Sequence, residues 1–184
     1  MEAFFTSTLT VSLAEIGDKT QLLALLLTIK FRNKSALVAG IIIATLINHG
    51  ISAWFGLYIG NFLSSDIANW IIGASFIAVG LWLLIPDKDE ETTNQFDKYG
   101  AFIATFILFF IAEIGDKTQV ATVLLGAQYQ SIWLVTAGTT LGMLIANVPV
   151  IFLGKKLMQR LPVKAVHIAA AILFCLIGVS SFIW

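Results

Sequence analysis

Glu15-Ile16-Gly17-Asp18-Lys19-Thr20-Gln21 occurs a second time in this chain, letter for letter, as Glu113-Ile114-Gly115-Asp116-Lys117-Thr118-Gln119. The copy begins 98 residues after the original, and we call the two segments motif 1 and motif 2. The same offset pairs further residues, namely Gly40 with Gly138, Phe76 with Phe174 and Gly80 with Gly178, while Asn48 and Asn147 are one residue out of step. The pattern predicts two related halves, each with one motif near its start.

Both motifs belong to a strongly apolar chain. Of its 184 residues, 58% are hydrophobic and 12% are charged, whereas soluble domains carry about 25% charged residues. The mean hydropathy is +0.91. Eleven Lys and Arg balance eleven Asp and Glu, so no basic surface indicates a nucleic-acid partner. The composition therefore predicts an integral membrane protein whose partner is the lipid bilayer.

Six apolar stretches are candidates for transmembrane helices, since a bilayer core of about 30 Å needs roughly 20 helical residues. They cover residues 4–29, 36–63, 70–85, 100–127, 132–153 and 164–184. The one extended polar segment, residues 86–98, is acidic and begins with the helix-ending Pro86. We predict an all-α integral membrane fold of six transmembrane helices. A three-helix repeat at 1–85 and a second at 99–184 are joined by a cytoplasmic linker at 86–98.

Loop charges predict the orientation of these helices. Six spans divide the connections into two alternating sets, of which one holds nine Lys and Arg and the other holds none. Because basic loops remain in the cytoplasm, both termini should lie outside the cytoplasm. Each repeat has three spans, an odd number, so the two repeats should have inverted topology, as in many secondary transporters.

Four carboxylates lie inside the predicted spans: Glu15, Asp18, Glu113 and Asp116. Placing each one at the bilayer centre costs at least ~2.5 kcal/mol, so a function or tight pairing must retain them. On a continuous helix, Glu and Asp three residues apart share a face. We therefore predict that the two motifs meet near the midplane. There the four carboxylates would bind a metal ion and also carry the coupled protons.

Other polar residues of the motifs and of spans two and five are predicted to support this site. They are Gly17, Lys19, Thr20, Gln21, Asn48, Gly115, Lys117, Thr118, Gln119 and Asn147. The glycines allow either close helix approach or a local break that exposes carbonyls. The Thr, Gln and Asn side chains would add neutral oxygens, and the lysines would hold the acids or replace the metal. As an alternative, each motif is a self-contained Glu–Lys ion pair four residues apart, but the matched second copy favours a functional site.

The residue types favour hard divalent cations. Neither motif contains Cys or His, which favours Ca²⁺, Mg²⁺ or Mn²⁺ over zinc or copper. Four carboxylates and two ammonium groups leave a charge of −2, which one divalent ion neutralises and which protons would neutralise in the empty site. Competition between protons and metal is a simple basis for antiport. His49 follows Asn48, and a hydrogen-bonded packing role is favoured for it over proton relay or metal contact.

Two copies of Glu-x-Gly-Asp-(Lys/Arg)-(Thr/Ser) in a six-span protein strongly resemble uncharacterised protein family 0016, the Gdt1 family of the calcium/cation antiporter superfamily. That family includes Golgi manganese/calcium transporters and bacterial manganese exporters. The resemblance implies a cation/proton antiporter whose substrate site comprises Glu15, Gly17, Asp18, Lys19 and Thr20 with Glu113, Gly115, Asp116, Lys117 and Thr118. The short loops look like a prokaryotic member, located in the bacterial inner membrane.

Manganese export in exchange for protons is the leading hypothesis for function. A calcium/proton antiporter on the same fold is the first alternative, and a passive divalent-cation channel is the second. An intramembrane enzyme is disfavoured because the sequence offers no cofactor motif and no recognisable nucleophile. We therefore expect no enzymatic activity and no cofactor, with Mn²⁺ or Ca²⁺ as substrate and H⁺ as counter-ion. The sequence leaves a homo-oligomer open.

Overall fold

The computed structural model of the chain describes residues 1–62, 65–85, 98–154 and 161–182. Every long regular element in these ranges is a helix. The eight helices are α1 (Glu2–Glu15), α2 (Lys19–Lys30), α3 (Lys34–Phe62), α4 (Ser65–Trp82), α5 (Gly100–Glu113), α6 (Lys117–Tyr129), α7 (Ile132–Leu153) and α8 (Val163–Ser181). Most of the predicted linker, residues 86–97, lies outside the described ranges, so the domain boundaries stay a prediction.

The first and fourth predicted spans are broken at the motifs. Motif 1 separates α1 from α2, and motif 2 separates α5 from α6. The glycine of each motif has a positive φ, +87° at Gly17 and +76° at Gly115, a backbone conformation that glycine adopts without steric cost. The prediction of a continuous helix through each motif is therefore wrong. The other interpretation of the motif glycines, a local break, is confirmed.

Several helices have the length and composition of membrane spans. Three are long and apolar enough to cross a bilayer, namely Lys34–Asn61, Ile132–Leu153 and Val163–Ser181. Two shorter apolar helices, Ile67–Trp82 and Gly100–Glu113, add to them. Their outward faces carry large apolar side chains such as Trp70 and Leu176, which suits contact with lipid.

Glycines bring the helix backbones into direct contact. Where α7 crosses α1, a Cβ at Gly142 would lie 2.7 Å from the Thr8 carbonyl oxygen. Where α6 crosses α3, a Cβ at Gly126 would lie 2.5 Å from the Ala53 carbonyl oxygen. Small residues at crossings allow the close van der Waals packing that associates helices in lipid.

Corresponding residues of the two halves make corresponding contacts. Gly138 of α7 packs on the carbonyl of Phe4 and the side chain of Ser7 in α1. In the same way, Gly40 of α3 packs on the carbonyl of Phe102 and the side chain of Thr105 in α5. These three pairs, Gly40 and Gly138, Phe4 and Phe102, Ser7 and Thr105, all have the sequence offset of the motifs. The crossing of α1 with α7 therefore has the same register as that of α5 with α3.

The crossing of α4 with α8 shows the same correspondence within a single helix pair. Phe76 and Phe174, which are equivalent in the two halves, contact each other with ring centroids 6.0 Å apart. Nearby, a Cβ at Gly178 would lie 2.6 Å from the carbonyl oxygen of Gly73. The equivalent residue Gly80 packs on Ala171, with a Cβ-to-carbonyl distance of 3.0 Å. Equivalent residues therefore exchange places across this crossing.

Candidate functional site

The two motif turns have nearly the same backbone. Ile16 and Ile114, which follow the last helical residues, have φ,ψ of −68°,116° and −67°,119°. Asp18 and Asp116, which precede the next helices, have φ,ψ of −83°,169° and −78°,162°. Identical sequence thus gives the same extended–left-handed–extended turn twice, and each turn ends with an aspartate at a helix N-cap.

A glutamine closes each turn. The Gly17 N–H donates to Oε1 of Gln21 at 2.9 Å, and the Gly115 N–H donates to Oε1 of Gln119 at 2.7 Å. Gln21 also donates from Nε2 to the Ala146 carbonyl in α7 at 2.8 Å. The expectation that these glutamine oxygens face a bound ion is corrected, because each one already accepts a backbone N–H of its own turn.

Three buried carboxylates meet where the two turns approach each other. Glu15, Glu113 and Asp116 are 0%, 0% and 4% exposed. Each offers one oxygen, and these oxygens all lie within 4.8 Å of one another. Oε1 of Glu15 and Oε1 of Glu113 have no hydrogen-bond partner among the described residues. Unneutralised charge is costly in such a dry environment, so the cluster suits a cation or bound protons.

Threonines orient these carboxylates. Thr20 Oγ1 donates to Oε2 of Glu15 at 2.5 Å. Thr118 Oγ1 lies 3.1 Å from Oε2 of Glu113 and 3.0 Å from Oδ2 of Asp116, so it is shared between the two acids of motif 2. The Thr118 N–H also donates to Oδ2 of Asp116 at 3.3 Å, which caps α6. Each threonine therefore fixes the side-chain position of the glutamate five residues before it.

Asp18 lies apart from the three-carboxylate group, although it is buried and occupies the N-cap of α2. The prediction that Glu15 and Asp18 share one helix face is wrong, because Glu15 ends α1 and Asp18 stands beyond the break. The same break separates Glu113 from Asp116. These two nevertheless approach each other because Thr118 bridges them.

The motif lysines reach beyond their own helices. Lys19 Nζ lies 3.4 Å from Oδ1 of Asp116 and so links motif 1 to motif 2. Lys117 is 4% exposed, and its Nζ donates to the Ile85 carbonyl beyond α4 at 2.6 Å. The Lys19–Asp116 pair replaces the expectation of ion pairs confined within each motif.

The two predicted asparagines lie on α3 and α7 and are both buried. Asn48 donates from Nδ2 to the Phe110 carbonyl of α5 at 3.0 Å. Asn147 donates from Nδ2 to the Met143 carbonyl at 3.1 Å, and its Oδ1 has no partner among the described residues. Asn147 therefore retains a free acceptor oxygen, next to the Ala146 carbonyl that Gln21 holds.

His49 is the residue whose position the sequence interpretation missed. Its side chain is 0% exposed, and its Nε2 lies 3.6 Å from Oε2 of Glu113. Neither ring nitrogen has a hydrogen-bond partner among the described residues, so the expectation of a hydrogen-bonded packing histidine is wrong. The available signal was its place beside Asn48 in the middle of an apolar helix.

The two turns differ in what covers them. A Cβ at Gly17 would collide with Val163 of α8, and His167 Nε2 lies 2.9 Å from the Ile16 carbonyl oxygen. By contrast, Ile114 is 58% exposed, and a Cβ at Gly115 would meet nothing within 4 Å. The start of α8 therefore closes motif 1, whereas motif 2 is open in the described part of the chain.

Comparison with known proteins identifies related sequences. The family model described as "Divalent cation/proton antiporter GDT1" matches residues 3–91 and 101–183, one segment in each half. A Vibrio cholerae protein named "Putative manganese exporter" is 47% identical over 184 residues, covering 98% of this chain and 90% of that protein.

More distant relatives also align along the whole chain. A GDT1-like protein of Synechocystis is 28% identical, covering 99% of this chain and 97% of its own. GDT1-like protein 5 of Arabidopsis thaliana is 26% identical, covering 97% of this chain and 95% of its own. No solved structure matches the chain significantly.

Proposed function

The chain belongs to the GDT1 family of divalent cation/proton antiporters, and from this premise we propose that it exports Mn²⁺ from the cytoplasm in exchange for protons. The observation that carries the proposal is the group of three buried carboxylates, Glu15, Glu113 and Asp116, at the breaks of two helices. Oxygen donors at this spacing suit one divalent ion. Since the chain is a membrane transporter, that ion is its substrate rather than a resident cofactor.

Each motif residue has a proposed part in binding this ion. Glu15, Glu113 and Asp116 bind it directly. Asp18 belongs to the same set because it holds in motif 1 the helix N-cap that Asp116 holds in motif 2. Thr20 and Thr118 orient the glutamates, and the motif glycines and glutamines form the turns. Lys19, Lys117, Asn48 and Asn147 complete the polar surroundings.

Charge balance couples the ion to protons. When the metal leaves, closely spaced carboxylates in a low-dielectric site cannot all remain ionised, so they take up protons. Binding of the next metal ion releases those protons. One set of side chains that alternately holds metal and protons gives exchange without a separate proton path.

We also propose that the two halves are inverted repeats. The crossing of α1 with α7 matches that of α5 with α3, and Phe76 contacts its equivalent Phe174, which supports this arrangement. In it, α1 with α2 forms one crossing and α5 with α6 another, which makes six crossings in all. The basic loops then lie in the cytoplasm and both termini outside it.

Mn²⁺ is the preferred assignment among divalent ions. It rests on the Vibrio cholerae relative, whose printed name specifies manganese and which aligns over nearly the whole chain. Ca²⁺ is the second candidate, because the three clustered ligands are carboxylates and hard oxygen donors suit Ca²⁺ as well.

The test is ion flux in proteoliposomes under an imposed pH gradient, with Mn²⁺ and Ca²⁺ compared. We expect Mn²⁺ flux that follows the gradient, moves protons in the opposite direction and is lost in Glu113→Gln and Asp116→Asn. Glu2→Gln is the control, because Glu2 is exposed at the start of α1. Flux that ignores the pH gradient would indicate a channel, and wild-type flux in Glu113→Gln would refute the site.

A further inference from the structure

We propose that His49 supplies a nitrogen ligand to the transported ion, and that this ligand makes the site prefer Mn²⁺ to Ca²⁺ and Mg²⁺. The inference rests on the proposed transport function and adds a specificity-determining residue outside both motifs. It replaces the expectation of an all-oxygen site with a mixed oxygen and nitrogen site.

The position of the imidazole fits a shared ion. His49 Nε2 lies 3.6 Å from Oε2 of Glu113, which is too far for a good hydrogen bond. Two donors that each bind one ion at about 2.0–2.3 Å are separated by roughly 3–4.4 Å, depending on the angle between them. The Glu113–His49 separation is therefore the one expected of two ligands on one metal.

No other role uses the imidazole. The side chain is 0% exposed, and neither Nδ1 nor Nε2 has a hydrogen-bond partner in the part of the chain that the structure describes. Its neighbour Ser52 donates to the Asn48 carbonyl at 2.8 Å. A buried polar ring without partners costs free energy, so evolution would replace it with an apolar residue unless the ring had a ligand.

The histidine also breaks the correspondence between the halves. Asn48 corresponds to Asn147, and the residue after Asn147 is Val148, so the second half has no equivalent of His49. The equivalent motif residues supply oxygen only, and Ca²⁺ and Mg²⁺ bind oxygen ligands by preference. A single imidazole nitrogen shifts affinity toward transition metals, of which Mn²⁺ is the one most tolerant of carboxylates.

The experiment records nitrogen couplings by pulsed EPR on Mn²⁺ bound to the purified full-length protein. We expect an imidazole nitrogen coupling that changes on ¹⁵N-histidine labelling and is lost in His49→Gln. The matched variant His167→Gln leaves His49 as the only histidine in the chain, and it should retain the coupling. This variant assigns the signal without altering the site histidine itself.

Equilibrium binding gives the second readout. We expect His49→Gln to lower Mn²⁺ affinity at least about tenfold while changing Ca²⁺ affinity much less, so that the ratio of the two affinities falls. Mn²⁺ binding without a nitrogen coupling, or an unchanged affinity ratio in His49→Gln, would overturn the inference and leave the proposed transport standing. Failure of wild-type protein to bind Mn²⁺ would overturn both.

Discussion

Individual motif residues act mainly through the backbone turn that they form. Gly17 and Gly115 occupy the left-handed region, and a glutamine four residues later accepts the N–H of each glycine. The carboxylates reach their positions because the turn ends one helix at a glutamate and starts the next after an aspartate. Side chains that touch no ion therefore decide where the acids lie.

Substitution of the motif glycines should reveal the different surroundings of the two turns. An L-residue in the left-handed region costs about 1–2 kcal/mol, so Gly115→Ala should lower the free energy of unfolding by that amount. Gly17→Ala should cost more, because its Cβ also collides with Val163. The measurement is SDS-induced unfolding in detergent.

A double variant separates the two causes. Val163→Ala should recover the additional loss in Gly17→Ala, while it should not improve Gly115→Ala, whose Cβ meets nothing within 4 Å. Equal losses in the two single glycine variants would contradict the assignment of α8 as the cover of motif 1.

The motif glutamines should also differ in their contribution to stability. Gln21→Leu removes the acceptor of the Gly17 N–H and the donor to the buried Ala146 carbonyl. Leaving a buried polar group unpaired costs about 1–3 kcal/mol, so this variant should unfold more readily. Gln119→Leu should lose less, because its bond to the Gly115 N–H is exposed and solvent can replace it. Thermal unfolding in detergent measures the difference, and a larger loss in Gln119→Leu would be the opposite result.

At the scale of elements, the breaks direct helix ends toward the site. The carboxyl ends of α1 and α5 stop at Glu15 and Glu113, where unpaired carbonyls and the negative end of the helix dipole favour a cation. The amino ends of α2 and α6 follow Asp18 and Asp116, whose carboxylates offset the positive end of the dipole. Broken spans therefore add backbone electrostatics to the side-chain charges.

Close packing of α3 on α6 should be sensitive to a single methyl group. A Cβ at Gly56 would overlap the Val123 carbonyl oxygen, whereas a Cβ at Gly50 in the same helix has only a Thr136 methyl group at 3.8 Å. Gly56→Ala should therefore lower the unfolding midpoint in SDS titration. Gly50→Ala should leave it unchanged or raise it, because Ala is favoured over Gly by about 1 kcal/mol inside a helix. Similar midpoints for the two variants would rule out this packing.

At the scale of the whole molecule, the two halves have equivalent contacts but unequal surroundings. The α8 start covers the turn of motif 1, and the turn of motif 2 is open. Non-helical backbone at membrane depth occurs only inside protein or beside water. We therefore expect the motif 2 turn to line a water-filled cavity in this conformation.

Thiol labelling should detect this difference. In Cys175→Ala protein, which lacks cysteine, Ile114→Cys should react with a charged thiol reagent faster than Ile16→Cys. The two positions are equivalent within their motifs, so each serves as the control for the other. Reaction rates measured in proteoliposomes would contradict the expectation if Ile16→Cys reacted as fast, and reaction only with lipid-soluble reagents would place the Ile114 turn against lipid.

The sequence by itself determined which features of the chain were unusual. Charges inside apolar stretches, a repeated segment and basic loops are local patterns, so membrane insertion and membership of the GDT1 family followed from them. The alternative of a break at the motif glycines was also available, because glycine is the residue that tolerates a left-handed backbone. Local sequence could not choose between that break and a continuous helix.

Only the tertiary structure decided which groups meet. Glu15 joins Glu113 and Asp116, Lys19 reaches Asp116, and His49 approaches Glu113, although these partners are far apart in sequence. Such contacts depend on how the helices cross, and the glycine contacts set those crossings. The physical reason is that the backbone preferences of a segment act over a few residues. A shared ion site, by contrast, depends on side chains from several helices arranged in three dimensions.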